Sequence, residues 1–101
     1  MTQIKFLGAS SIDMRDAVFE SLYEIASKDS SVVVLTDDQS ALSLNKIKNY
    51  LKNQYFNIGI AEQNLISVGA GLALGGKKPF LYGISTFVTL RCYEQIVVDL
   101  C

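Results

Sequence analysis

A carboxylate between a predicted strand and a predicted helix is the most promising chemical group in this sequence. The apolar run at residues 55–58 stops at Gly59, and an apolar helical pattern begins within three residues. This pattern predicts a strand, a tight turn and a helix that carries Glu62 in its first turn. Ligands of open parallel sheets bind beyond the carboxyl ends of the strands, so Glu62 is well placed to meet one. A glutamate there also complements the helix dipole, and spacing alone favours that simpler interpretation.

Two further polar clusters follow predicted strands. Asp37 and Asp38 come after the run at residues 31–36, and the segment Ser85-Thr86-Phe87 comes after the run at residues 80–84. Because the carboxyl ends of parallel strands meet at one edge of a sheet, we expect all three clusters to converge there. Such convergence indicates a site better than any one cluster does.

The elements that must position these clusters alternate along the chain. The expected order is helix, strand, helix, strand, helix, strand, helix, which is typical of a three-layer α/β fold with a parallel sheet and helices on both faces. The run Val32-Val33-Val34-Leu35 has no polar alternation, which predicts a strand buried on both faces. The first ten residues carry no clear period and are interpreted as an arm or a lead-in.

Apolar stripes predict which helix faces are buried. In the first helix, capped by Ser11 or Asp13, the stripe is Met14, Val18, Leu22 and Ile25. A short amphipathic helix carries Leu44, Ile47 and Leu51. A last helix is predicted from about residue 88 to the end, with a stripe formed by Leu90, Tyr93, Val97 and Leu100.

The helix predicted at residues 61–74 is apolar on nearly every side, which indicates burial on every side. Gly69 and Gly71 each cost roughly 1 kcal/mol relative to alanine, and close approach of another backbone is the expected compensation. A partner chain could cover this helix, and a neighbouring helix of the same chain could cover it equally well. With only three strands predicted, the sheet also keeps an open edge that favours association into an oligomer.

Composition limits the possible functions. A chain of 101 residues, 50% hydrophobic and 19% charged, is typical of one small globular domain. The net charge of −1 gives no reason to expect nucleic acid or a membrane as a partner. No leader or membrane span is apparent. Cys92 and Cys101 lie on opposite sides of one predicted helix and are expected not to pair, and without histidine we expect no metal site. A cytoplasmic setting is the default expectation.

The segment from Asn57 to Asn64, read Asn-Ile-Gly-Ile-Ala-Glu-Gln-Asn, resembles the pyrimidine-binding domain of transketolase-type enzymes that depend on thiamine diphosphate. Other features agree in order and spacing, and the resemblance covers nearly the whole chain. These features are Asp38, the glycine-rich run at 69–74, Lys78-Pro79-Phe80, Ser85-Thr86-Phe87 and the run at 91–96. The best match is to the C-terminal subunit of split transketolases. Deoxyxylulose-phosphate synthase and the beta subunits of 2-oxo acid dehydrogenases are similar but more distant.

A signalling receiver domain is a poor alternative. That family places a phosphate-accepting aspartate after its third strand, whereas the third predicted strand here ends in Gly83-Ile84-Ser85-Thr86. A helix also precedes the first predicted strand, which is the wrong order for a receiver.

The transketolase resemblance implies a role for Glu62. The matching glutamate of the family hydrogen-bonds N1′ of the aminopyrimidine ring, and this bond stabilises the tautomer that activates the cofactor for two-carbon ketol transfer. Phe87 matches the aromatic residue that packs on the pyrimidine face, with plain core packing as the alternative. Asp38 lies near the cofactor in the family, and its alternative is a cap at the strand end.

Arg91 matches an arginine that lies near the bound substrate in deoxyxylulose-phosphate synthase, which implies contact with a ketose resembling a sugar phosphate. Its alternatives are a solvated helix residue or an ion pair with Glu94 or Asp99.

The family also implies what this chain cannot supply. The Gly-Asp-Gly…Asn motif that binds magnesium and the diphosphate is absent, and it belongs to the other subunit. Family domains also run past the last predicted helix. Residues 1–101 are therefore expected to be a partial pyrimidine-binding domain, inactive alone, that works with a diphosphate-binding transketolase subunit holding Mg²⁺. The alternative is a truncated, non-catalytic homologue that acts as an interaction module.

Overall fold

The computed structural model of this chain describes residues 13–101. Predictions about the preceding residues, including Ser11 as a helix cap, lie outside the described part. The main elements are α1 (Met14–Lys28), β1 (Val32–Thr36), α2 (Leu44–Tyr50), β2 (Tyr55–Asn57), α3 (Glu62–Leu74), β3 (Lys78–Tyr82), α4 (Ser85–Val88) and α5 (Tyr93–Gln95). A 3₁₀ turn, Lys52–Gln54, precedes β2, and a π-helical turn, Ile96–Leu100, follows α5.

The three strands form one parallel sheet in the order β2-β1-β3, with β1 in the centre. Every residue of β1 is buried, as its uninterrupted apolar run predicts. Val32 and Val34 pack with α1 and α2 on one face, while Val33 and Leu35 pack with Leu65 of α3 on the other. The predicted three-layer α/β architecture is therefore confirmed.

Helix α1 uses a different face from the predicted one. Asp13 caps it, because its side chain accepts a hydrogen bond from the amide of Arg15 at 2.8 Å. The buried residues are Phe19, Leu22 and Ala26, so only Leu22 of the predicted stripe lies in the core. The helix has two apolar sides, and the buried one carries Phe19, whose large ring packs edge-on against the Tyr82 ring with centroids 4.9 Å apart.

The remainder of the predicted α1 stripe is exposed. Met14, Val18 and Ile25 are 83%, 57% and 53% exposed, and together with Phe80 of β3 they line an open apolar groove. In α2, Leu44 and Ile47 are buried as predicted, and Leu51 packs against them as a half-buried neighbour.

Helix α3 has the predicted bounds but not the predicted burial. Its buried residues lie on the side that faces the sheet, while Leu74 at its end is 90% exposed. A Cβ on Gly69 would lie 2.9 Å from the side chain of Leu81, so the neighbour that approaches this glycine is a side chain of β3 and not the expected second backbone. Around Gly71 a Cβ would meet nothing within 4 Å. The prediction that α3 is buried on every side is wrong for the single chain.

The end of α3 is a Schellman motif. The amide of Gly76 donates to the carbonyl of Ala73 at 3.0 Å, and the amide of Lys77 donates to the carbonyl of Leu72 at 2.9 Å. Gly76 has a φ of +91°, which a residue without Cβ adopts at little cost.

The predicted last helix is broken into short pieces. The carbonyl of Ser85 accepts from the Thr89 amide at 3.0 Å and also from the Thr89 hydroxyl at 2.5 Å, a side-chain bond that often bends helices, and α4 ends at Val88. The predicted stripe of Leu90, Tyr93, Val97 and Leu100 is consequently exposed, and Cys92 is buried instead. Cys92 and Cys101 are both free, as expected, although they do not share one helix.

Within residues 13–101, no helix is both long and apolar enough to cross a membrane.

Candidate functional site

The turn after β2 sets the position of Glu62. The side-chain oxygen of Asn57 accepts a hydrogen bond from the amide of Gly59 at 2.8 Å, which closes a tight turn at the strand end. Gly59 has a φ of +84°, a left-handed conformation that favours glycine. The chain then enters α3 with Glu62 as its first residue, and the Glu62 side chain is only 7% exposed.

Arg91 connects Glu62 to Phe87. Its Nη1 lies 3.4 Å from Oε2 of Glu62, and its Cζ lies 4.2 Å from the centroid of the Phe87 ring. One guanidinium thus pairs with the carboxylate by charge and stacks over an aromatic face. Neither of the sequence-based alternative partners for this arginine, Glu94 or Asp99, forms the ion pair. The three side chains come from the start of α3, from α4 and from the loop that follows α4.

The backbone at Arg91 is held on both sides. Its amide donates to the carbonyl of Thr86 at 3.3 Å, and its carbonyl accepts from Nε2 of Gln63 at 3.2 Å. The sequence alone indicates no individual role for Gln63, and only the fold reveals that it ties α3 to this loop. The Arg91 side chain is nonetheless 51% exposed to solvent, although its backbone is held by these two hydrogen bonds.

Asp37 belongs to one of the polar clusters that the sequence places at strand ends, but sequence reasoning assigns an individual role only to its neighbour Asp38. It is 1% exposed, and neither of its carboxylate oxygens has a hydrogen-bond partner among the described residues. Burial raises the pKa of this carboxyl group, and the nearby charges of Glu62 and Asp38 raise it further. Its position directly after a fully buried strand was the available sequence signal.

Gly83 makes room for Asp37. A Cβ at Gly83 would lie 2.7 Å from Oδ2 of Asp37 and 2.5 Å from Cγ1 of Val88. The turn after β3 therefore packs directly on the carboxyl group that follows β1. In this way the ends of two neighbouring strands meet at the same edge of the sheet.

Asp38 has a different environment from Asp37. It is exposed, and its Oδ1 accepts a hydrogen bond from Nδ2 of Asn57 at 2.9 Å. Its φ of +72° is unusual for a residue with a side chain, although aspartate tolerates it better than most. Asp38 thus ties the end of β1 to the turn that precedes Glu62.

Cys92 lies behind the cluster formed by Glu62, Phe87 and Arg91. Its Sγ donates to the carbonyl of Phe87 at 3.2 Å, and the residue is fully buried. Burial raises the pKa of this thiol, and the nearby charge of Glu62 adds to the increase. Cys92 is therefore a packing residue rather than a reactive thiol.

The arrangement fits the aminopyrimidine ring that the family resemblance implies. A pyrimidine site needs a carboxyl group for a ring nitrogen and a flat apolar surface for the ring face. The Arg91 guanidinium, itself planar and rich in N–H groups, contacts such a carboxylate and such a surface at once. In residues 13–101 no group of three or more potential metal ligands comes together.

The structure is a parallel α/β domain with a cluster of polar side chains at the carboxyl ends of its strands. Comparison with known proteins identifies its family. Residues 10–101 match the family model described as transketolase, pyrimidine binding domain. The chain belongs to this family.

Relatives and a solved structure agree with the family model. The chain is 39% identical over 83 residues to 1-deoxy-D-xylulose-5-phosphate synthase of Clostridium tetani, a match that covers 81% of the chain and 13% of that protein. It is 38% identical over 90 residues to one of the subunits of the apulose-4-phosphate transketolase of Phocaeicola vulgatus, covering 88% of the chain and 29% of that relative. A solved structure described as split gene transketolase, inactive beta4 tetramer, matches with a TM-score of 0.75 and 36% identity, covering 86% of the chain and 29% of its own. The chain thus spans less than a third of the length of each of these proteins.

Proposed function

We propose that this chain is part of the pyrimidine-binding component of a thiamine-diphosphate-dependent, transketolase-like enzyme. One observation carries the proposal. The Arg91 guanidinium, a planar group with N–H donors, contacts both the nearly buried carboxylate of Glu62 at the start of α3 and the ring of Phe87. Residues 1–101 would form part of one such domain.

Each residue of the cluster then has a defined task. Glu62 would hydrogen-bond a nitrogen of the aminopyrimidine ring, and a carboxyl group suits this task because it can share a proton across one short bond. Phe87 would support the ring face. Asp38 would keep the turn before Glu62 in place through its bond to Asn57. When bound, thiamine diphosphate would supply the electron sink for a two-carbon fragment.

The remaining parts of the enzyme would come from elsewhere. A diphosphate-binding transketolase subunit would hold Mg²⁺ and the diphosphate, and a ketose resembling a sugar phosphate would be the substrate, with Arg91 as a contact for it. Similarity to proteins named as transketolase subunits and as a split gene transketolase supports such an assembly. The two free cysteines are compatible with a reducing, cytoplasmic setting.

A second candidate function is a non-catalytic interaction module. The exposed apolar groove formed by α1 and Phe80 favours it, because a surface of this kind is typical of contacts between proteins. Such a module would need the fold and its surface but not the carboxylate of Glu62. The two functions therefore differ in how they respond to a change at that residue.

Glu62→Gln tests the proposal in a complex with a diphosphate-binding subunit of a split transketolase. The amide keeps the shape and one hydrogen bond but cannot exchange a proton. We expect the variant to assemble normally and to lower ketol-transfer turnover by at least ~10²-fold, the low end for a positioned acid–base group. The measurement is turnover in the reconstituted complex, with assembly followed by gel filtration.

Glu94→Gln is the matched control, because Glu94 is an exposed carboxylate on α5 outside the cluster. It should leave turnover unchanged. Full activity of Glu62→Gln in an assembled complex would show that Glu62 is only a charge at the helix start, and the proposal would fail.

A further inference from the structure

The Arg91 side chain contacts the two groups that a bound ring would need. Its guanidinium is planar, presents N–H donors along its edge and lies 3.4 Å from the Glu62 carboxylate and 4.2 Å from the centre of the Phe87 ring. An aminopyrimidine offers the same combination of a flat face and polar edge atoms. A bound ring would therefore compete with this guanidinium for the same contacts with Glu62 and Phe87.

We propose that the Arg91 guanidinium is an internal occupant of the pyrimidine site, and that an arriving ring must displace it from Glu62 and Phe87. The inference rests on the proposed function, since it names the ligand of the same site. It gives Arg91 a task before any substrate binds: the arginine keeps the nearly buried Glu62 carboxylate paired in the free protein, where an unpaired one would be costly.

The structure allows this displacement without unfolding. Hydrogen bonds from the Arg91 amide to Thr86 and from Gln63 to the Arg91 carbonyl hold the backbone in place. The side chain itself is 51% exposed, so rotation about its own bonds takes the guanidinium into solvent. Arginine has a long, flexible stem, and its charge is well solvated once released.

The expected effect follows from the contacts that are lost. One exposed cation–π contact and one partly exposed ion pair are each worth a factor of roughly 2–5 in an equilibrium constant. Removing the guanidinium should therefore tighten binding of an aminopyrimidine by roughly 4- to 25-fold, because the ring no longer competes with it.

The experiment uses the full chain and 4-amino-2,5-dimethylpyrimidine as the probe, with binding followed by NMR titration. Arg91→Met removes the guanidinium and keeps an apolar stem. Arg15→Met is the matched control, because Arg15 on α1 is also 51% exposed and also has a carboxylate neighbour, Asp16, at 3.9 Å. We expect Arg91→Met to bind the probe more tightly than the wild type, and Arg15→Met to bind it equally well.

A second measurement needs no ligand. With ¹³C-labelled arginine, the Arg91 side-chain resonances should be shifted by the ring current of Phe87. Phe87→Leu should abolish that shift, and saturating probe should reduce it in the wild type. An unshifted Arg91 in the free wild type would overturn the inference.

The remaining outcomes separate this inference from the function on which it rests. If Arg91→Met binds the probe equally or more weakly while Glu62→Gln loses binding, the pyrimidine site stands and internal occupancy is refuted. If no variant binds the probe, or Glu62→Gln binds it as well as the wild type, the proposed function fails and the inference fails with it.

Discussion

Asp37→Asn should stabilise the protein at neutral and alkaline pH but not in acid. Asp37 is 1% exposed, with no hydrogen-bond partner for either carboxylate oxygen among the described residues. An unpartnered buried polar group costs about 1–3 kcal/mol, and more when charged. Asparagine keeps the shape and removes the charge but remains a buried polar group, so we expect a gain on the order of 1 kcal/mol at pH 8, the difference between burying a charged and a neutral group. In a domain of this size, each kcal/mol of added stability raises Tm by roughly 4–8 °C.

The sign of the pH dependence follows from the raised pKa. Burial, with help from Glu62 and Asp38, favours the protonated form of Asp37 in the folded state. The folded protein then binds more protons than the unfolded chain, so wild-type stability falls as pH rises from about 3.9, the ordinary aspartate pKa, through the raised value. The advantage of Asp37→Asn should therefore be small near pH 4 and grow towards pH 8.

Urea unfolding of both proteins at several pH values measures this advantage, and Asp38→Asn is the control. Asp38 is the neighbouring carboxylate but is exposed, and asparagine also tolerates its positive φ. Its replacement should change stability by less than about 0.5 kcal/mol at every pH. A gain for Asp37→Asn that is absent at pH 8, or that is the same at every pH, would refute the reasoning.

Two further predictions concern packing and association. Gly83→Ala should destabilise the fold by about 1–3 kcal/mol in urea unfolding, because its Cβ would overlap Val88 and Asp37. Gly71→Ala is the control and should stabilise α3 by about 0.5–1 kcal/mol, because the space around Gly71 is open. Equal effects of the two substitutions would contradict the packing at Gly83. The purified chain should self-associate, as measured by light scattering, because α1 exposes an apolar face and β2 and β3 are the edge strands of the described sheet. A stable monomer across a wide concentration range would count against this.

The sheet was predictable because its signals are local. The uninterrupted run of β1, the turn glycine at Gly59 and the helix-ending pair Gly75-Gly76 each act through the conformation of a few neighbouring residues. The same holds for Glu62, which lies at the start of α3 because the turn before it is short. Alternation of helices with strands then leaves few arrangements other than a parallel sheet.

Features that depend on tertiary contacts were not predictable. Helix α1 has two apolar sides, and which of them is buried depends on tertiary packing such as that of Phe19 against Tyr82. The last helix looks continuous in sequence, but in the fold it breaks after Val88, where the Thr89 hydroxyl also bonds the carbonyl of Ser85. The pairing of Arg91 with Glu62 joins residues from two separate elements, so no spacing in the sequence reveals it.

The distribution of unfavourable features bears on the choice between an enzyme component and an interaction module. Three such features lie at the carboxyl ends of the strands: the buried carboxyl group of Asp37, which has no partner within residues 13–101, the positive φ of Asp38 and the nearly buried Glu62. Each of them costs stability, and such costs in folded proteins concentrate at functional sites. A module that needed only its outer surface would gain stability by losing them. Their presence together at one edge of the sheet therefore favours a ligand at that edge over a purely structural role.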